Sequence, residues 1–160
     1  MDALFQTQSN ELSTTTQKEK LFKDAERQWN TLSTEKAAPG RKVDFEIYKS
    51  ILYNLEIRKV YLDSKLSLEK FSSIVGTNTT YLSNAVNNYF GCNFKRLINS
   101  YRVVRAKELL DGKDCPVNEL FSRCGFASKS VFYVAFRKVV GMTPLQYISQ
   151  SRNPFMIQRN

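Results

Sequence analysis

Apolar residues recur at helical spacing along most of this 160-residue chain, and polar caps and glycines punctuate the runs. Residues 1–16 are rich in Gln, Ser and Thr and read as a frayed terminus. Thr16 with Glu19 makes a capping box, opening a helix to about Leu32 with Leu21, Phe22, Ala25, Trp29 and Leu32 on one face. Residues 37–42, with Pro39 and Gly40, read as a linker. A helix over about 44–60 follows, with Ile47, Tyr48, Ile51, Leu52 and Leu55 at helical spacing. Ser67 caps a short helix that faces Phe71, Ile74 and Val75 inward and ends at Gly76. Asn78 caps the next, whose buried stripe is Leu82, Ala85, Val86 and Tyr89 and which Gly91 closes. A long helix spans 93–110, with Phe94, Leu97, Ile98, Tyr101, Val104, Ala106, Leu109 and Leu110 as apolar contributors. Pro116 starts a further unit. Ser128 caps its second helix, with Phe132, Ala135, Phe136 and Val139 as the inner face and an end near Gly141. Thr143, Pro144 and Gln146 open a last helix that ends near Ser151, and 149–160 read as a disordered basic tail. No alternating run long enough for a strand is present. The expected fold is all-α.

Two of these segments repeat one pattern. Gly76 and Gly125 are 125 − 76 = 49 residues apart, while Ala85 and Ala135 are 50 apart, as are Gly91 and Gly141. Each copy is a short amphipathic helix, a glycine turn, a polar cap and a second helix. That is the outline of a helix-turn-helix, whose second helix fits the DNA major groove. The expected organisation is therefore an N-terminal helical appendage over 1–42 and a domain over 43–151. That domain holds a first helix-turn-helix at 67–91, a linker helix at 93–110 and a second helix-turn-helix at 116–141, with a tail at 152–160.

Charge strengthens this picture. The net charge is +9, and it is uneven: residues 1–40 hold 5 − 6 = −1 and residues 41–160 hold 19 − 9 = +10. No acidic residue follows Glu119, and five basic residues lie between Lys95 and Lys107 with no acidic one among them. Such a field concentrates polyanions, although a basic surface alone is equally well a solvated face. Cys92, Cys115 and Cys124 form no C-x-x-C pair and the chain has no histidine, which argues against a zinc or haem site. Cys124 falls on an apolar stripe and reads as a core residue. No run reaches membrane-spanning length and no signal peptide is visible, so a soluble, cytoplasmic protein with reduced thiols is expected.

The residues Tyr101-Arg-Val-Val-Arg-Ala-Lys-Glu-Leu-Leu110, then Cys124-Gly-Phe126, Phe132, Ala135-Phe-Arg-Lys138, Gly141-Met-Thr-Pro144 and Tyr147, carry a resemblance. Together they resemble the DNA-binding domain of AraC/XylS-family transcription regulators, over about 47–148. The resemblance implies two helix-turn-helix subdomains (homeodomain-like three-helix units) joined by the long helix, each setting one recognition helix into adjacent major-groove turns. At 1.5 Å per residue the linker is roughly 26 Å long, and the two recognition helices must lie about 34 Å apart to use one face of straight DNA.

The outward positions opposite the buried stripes nominate the readers. Thr80, Ser83 and Asn84 are expected to contact bases from the first unit, and Lys129, Ser130 and Tyr133 from the second. Asn84 suits adenine and Lys129 suits guanine; Tyr133 and the Thr80 methyl suit thymine methyls. Val134 stands where other members carry a polar reader, so readout there is apolar or absent. Phosphate contacts are expected at the helix starts around Asn78, Thr79 and Ser128, and from Lys95, Arg96, Arg102, Arg137 and Lys138. For Arg102, intramolecular packing competes equally with a DNA role; for Arg105 the intramolecular pairing is favoured.

No catalytic residue, cofactor or metal is expected. Double-stranded DNA is the expected partner, RNA polymerase a further candidate, and membrane contact is not expected. The N-terminal helix reads as docking on the DNA-binding domain, or as a weak dimer contact of an otherwise monomeric chain. The chain is a compact regulator or the output end of a longer sensor protein. The rival reading is a basic protein-interaction module without sequence preference.

Overall fold

The computed structural model describes the backbone of residues 3–32, 41–113 and 115–152, with side chains over 16–31, 44–113 and 115–151. The described residues are helical, with turns and no strand. The α-helices are α1 (Ala3–Leu32), α2 (Arg41–Leu52), α3 (Leu68–Val75), α4 (Thr79–Phe90), α5 (Phe94–Asp111), α6 (Leu120–Arg123), α7 (Lys129–Val140) and α8 (Pro144–Arg152). The described residues form two compact units, one within 1–60 with 67–92 and one within 61–66 with 93–152.

The first unit is built around an aromatic cluster. Trp29 and Ala25 of α1 are buried with Tyr48 and Leu52 of α2, and Leu21, Phe45, Tyr89 and Phe90 pack around them. The Trp29 ring lies 4.7 Å from Tyr89 and 5.6 Å from Tyr48, centroid to centroid. Two phenol hydroxyls within the cluster are satisfied: Tyr89 donates to Asp44 at 2.7 Å and Tyr48 to Gln28 at 3.0 Å. Burial, the Asp44 hydrogen bond and the Asp44 charge push the Tyr89 phenol up to about 12. Ile51, Leu55, Phe71, Leu82 and Val86 are fully buried as well.

The boundary placed after residue 42 is not where the chain divides, because α1 and α2 share a core with α4. Helix α1 begins at Ala3 and runs through Thr16, so no capping box starts it there. No Gly or Pro occurs before Pro39, and Gln, Leu, Lys and Glu continue a helix readily. Most of the linker reading, 33–40, lies outside the described residues, and α2 already begins at Arg41. The helix expected to reach residue 60 instead widens into a π turn over Tyr53–Ile57, where Arg58 N–H donates to the Tyr53 carbonyl five residues back at 3.1 Å. The buried Asn54 side chain causes a local competition, donating to the Ser50 carbonyl at 2.8 Å while accepting from Arg58 at 3.1 Å.

The second unit has its own core, with Val103, Ala106 and Leu109 of α5, Leu120, Cys124 and Phe126 around α6, and Phe132, Ala135 and Phe136 of α7. Phe126, Phe132 and Phe136 pack in sequence, tilted or edge to face, with centroids 5.2 and 5.7 Å apart, and Tyr147 of α8 joins edge-on at 5.8 Å. The expected linker helix is α5, and it packs within this unit against α6, α7 and α8. One apolar contributor of the long helix and one inner-face residue of α7 lie outside the core. Val104 is 53% exposed and Val103 is buried in its place, while Val139 is 46% exposed and Val140 packs on the core. In each case the stripe continues at the next helical turn from a residue three or four away, and a neighbouring apolar residue is left outside. Cys124 is a core residue, and burial pushes its thiol up to about 12. Residues 149–152 continue α8, and 153–160 lie outside the described residues.

Segment 61–66 is held in this unit by Arg102. Its Nε donates to the Tyr61 carbonyl at 2.7 Å and its Nη2 to the Asp63 carbonyl at 2.9 Å, with the guanidinium carbon 5.6 Å from the centre of the Phe126 ring. Burial lowers the Arg102 pKa, and the Asp63 charge opposes that shift. This corrects Arg102 as a phosphate contact: the side chain is buried and its forked donors serve two main-chain oxygens.

Candidate nucleic-acid interface

The first glycine-turned unit is assembled by local rules. Ser67 accepts from Lys70 N–H at 3.1 Å to start α3, and Gly76, at φ +86°, ends it by donating to the Ser72 carbonyl at 2.9 Å. A left-handed residue is needed at that turn, and glycine adopts it without steric cost. Asn78 then caps α4, accepting from Tyr81 N–H at 2.8 Å. With Leu82, Ala85 and Val86 buried, the opposite side carries Thr80, Asn84 and Asn87 exposed, with Thr79 and Ser83 half-buried. Asn87 turns back to its own helix, donating to the Ser83 carbonyl at 2.9 Å.

The second unit repeats the device with different chemistry. Ser128 accepts from Val131 N–H at 3.3 Å and caps α7, and Gly141 at φ +86° closes it. Phe132, Ala135 and Phe136 are buried, which leaves Lys129, Ser130, Val134, Arg137 and Lys138 exposed and Tyr133 half-buried. The Lys129 ammonium sits 5.7 Å from the centre of the Tyr133 ring, a cation–π contact one turn along. At both helix starts the first amides have no intrahelical partner, so they favour an anion.

Beside α7 the structure gathers three of the expected phosphate contacts. Lys95, Arg96 and Lys138 line a cleft of about 420 Å³, with Asn93, Asn99, Ser100, Ala135 and the exposed Val139. Asn93 caps α5, accepting from Arg96 N–H at 2.9 Å. Lys95, Arg96, Lys129, Arg137 and Lys138 make no ion pair with another described residue. Arg105, in contrast, pairs with Glu108 at 3.1 Å, as the favoured intramolecular reading had it. Asn99 and Ser100 join this cleft without any signal in the sequence pattern. Their approach to Lys138 depends on the packing of α5 on α7, which no local pattern encodes.

A helix-turn-helix domain family model matches residues 71–150, half of the chain, taking in the second glycine-turned unit and the first from Phe71 onward. The chain belongs to the AraC-type helix-turn-helix family. Among curated AraC-type relatives it is 33% identical over 94 residues to the regulatory protein PocR of Salmonella typhimurium, covering 56% of this chain and 31% of that protein. It is 31% identical over 91 residues to the HTH-type transcriptional activator RhaR of an Enterobacter species, covering 57% and 32%. The chain thus spans less than half the length of the curated relatives it matches. Among solved structures it resembles the C-terminal domain of AraT, a response regulator from Geobacillus stearothermophilus. There the TM-score is 0.58 and the identity 28%, covering 66% of this chain and 84% of that one. These matches are to transcriptional regulators, not enzymes. No helix among the described residues is long and apolar enough to cross a membrane.

Proposed function

We propose that this chain binds duplex DNA in a sequence-specific manner and regulates transcription from the cytoplasm of a bacterial cell, setting α4 and α7 into successive major-groove segments. One observation carries this reading: both units present a side-chain-capped helix that is buried on one side and exposed on the other, where α4 offers polar side chains and α7 a mixture of polar, basic and valine side chains. In it, Thr80, Ser83 and Asn84 read bases from α4, and Lys129, Ser130 and Tyr133 read them from α7. The helix starts around Asn78, Thr79 and Ser128 take phosphates through main-chain N–H groups, and Arg137 and the Lys95, Arg96 and Lys138 cleft take them by charge. RNA polymerase is the partner on which the bound regulator acts. The Leu21, Ala25 and Trp29 stripe of α1 is already used inside the first unit, which supports a monomer over a dimer through that helix.

A second reading, the output segment of a longer signalling protein, is favoured by the likeness to a response regulator's C-terminal domain. It alters what controls binding, not how the chain binds.

Selection of bound duplexes from a random pool tests the proposal. The expected product is a motif with two half-sites about 10 base pairs apart, one helical turn. On it, Lys129→Ala costs about 1–3 kcal/mol and relaxes one base position. Lys138→Ala weakens all duplexes alike and lowers the salt slope by about one. Salt-sensitive binding without enrichment of any sequence would leave only the basic interaction module.

A further inference from the structure

The exposed side of α7 has an apolar centre. Successive residues turn by about 100° on a helix, so the direction opposite Phe132, Ala135 and Phe136 falls between Ser130, Val134 and Arg137. Val134 is 70% exposed, the highest value among the exposed large apolar side chains of the described residues. A lone exposed valine is ordinary on a protein surface, so exposure alone carries nothing. Its place does: one turn beyond Ser130, one residue beyond Tyr133 and one turn ahead of Lys138, near the middle of a helix side whose other exposed residues are polar or basic except Val131, which is 48% exposed at its flank.

Valine has neither donor nor acceptor, and its branched side chain holds essentially one rotamer in a helix. A rigid apolar knob pressed against base edges leaves their donors and acceptors unpaired, except at one feature. The major-groove edge of thymine carries a C5-methyl group, the only alkyl group among the four bases there. We propose that Val134 is a specificity residue that selects thymine by packing against this methyl. The proposal rests on α7 lying in the major groove, as argued above. The rise from Ser130 to Val134 is about 6 Å, so the thymine lies at most about two base pairs from the one that Ser130 meets.

Deoxyuridine tests this, because it keeps the pairing and removes only the methyl. In the duplex selected by the unaltered chain, each thymine of the α7 half-site is replaced by deoxyuridine in turn. One replacement should weaken binding by about three- to fivefold, the worth of one buried methyl. In Val134→Ala, thymine and deoxyuridine at that position should bind equally, while every other position keeps its wild-type response. Val134 is exposed, so the variant should fold; its circular dichroism and its binding to the α4 half-site report that directly. If Val134→Ala still discriminates thymine from deoxyuridine at every position as the unaltered chain does, or if the half-site holds no thymine, the assignment is wrong. Failure of the underlying DNA reading looks different: no sequence is enriched by the unaltered chain at all.

Discussion

Arg102 donates through Nε to the main-chain oxygen of Tyr61 at 2.7 Å, joining positions that are 41 residues apart. A second prong reaches the Asp63 oxygen. Truncation in Arg102→Ala leaves two carbonyls without their charged donor and removes the contact with Phe126. We expect a loss on the order of 2–4 kcal/mol in urea unfolding. Arg102→Lys keeps the charge but not the planar fork, and should recover less than half of that loss. A lysine variant within about 0.5 kcal/mol of the parent would show that the fork is not what holds the segment.

Gly125 faces the same segment. At φ +87° a side chain is already strained, and a Cβ there would stand 2.8 Å from the Leu62 Cα and closer still to the Tyr61 oxygen. Gly91, at φ +69°, has open space around it. Gly91→Ala should therefore cost only the backbone term, about 1–2 kcal/mol, and Gly125→Ala about 3 kcal/mol or more. Equal losses in thermal or urea unfolding would remove the close approach as an explanation.

Trp29 is the only tryptophan in the chain, so its emission reports the first unit. It is 6% exposed and touches three other aromatic rings. Trp29→Ala should cost about 3–5 kcal/mol. Because Tyr89 lies at the end of α4, the same variant should weaken the α4 half-site more than the α7 half-site in binding titrations. An unchanged melting curve would mean that α1 is an appendage after all.

Tyr89 links stability to alkaline pH. Its phenol ionises near the ordinary 10 when unfolded and near 12 when folded. Below 10 both states hold the proton and the contribution is intact. Between 10 and 12 the unfolded chain binds fewer protons, so stability falls as pH rises. Tyr89→Phe should flatten part of that fall in unfolding curves measured across the window. Tyr48, Tyr147 and Cys124 are shifted upward too and sustain the remainder. A variant whose alkaline slope matches the parent would exclude Tyr89 as a contributor.

Local rules account for most of the element plan. Asn78, Asn93 and Ser128 cap the helices they precede because a short polar side chain reaches the third amide, a relation that lies within four residues. The box of Thr143 and Gln146 forms in both directions, at 2.9 and 3.2 Å. The Thr16 box fails although its residues fit, because nothing upstream stops a helix. A cap signals a possible start; only a breaker enforces one.

The candidate interface divides in the same way. Which side of α4 and α7 faces out follows from periodicity, since a buried stripe excludes its opposite. That reasoning also reaches Val134, whose exposure it predicts. The destination of a long charged side chain does not follow. Arg102 and Lys95 stand on one helix with the same charge, yet one is buried against carbonyls and the other lines an exposed cleft.

Helix identity, caps, turns and the duplicated plan were already present in the amino-acid order, because their causes act within one or two helical turns. The union of α1 with the first unit, the commitment of segment 61–66 to the second, and the separate fates of Arg102 and Lys138 came from packing. Those outcomes depend on contacts between residues tens of positions apart, and a one-dimensional pattern holds no distance between them.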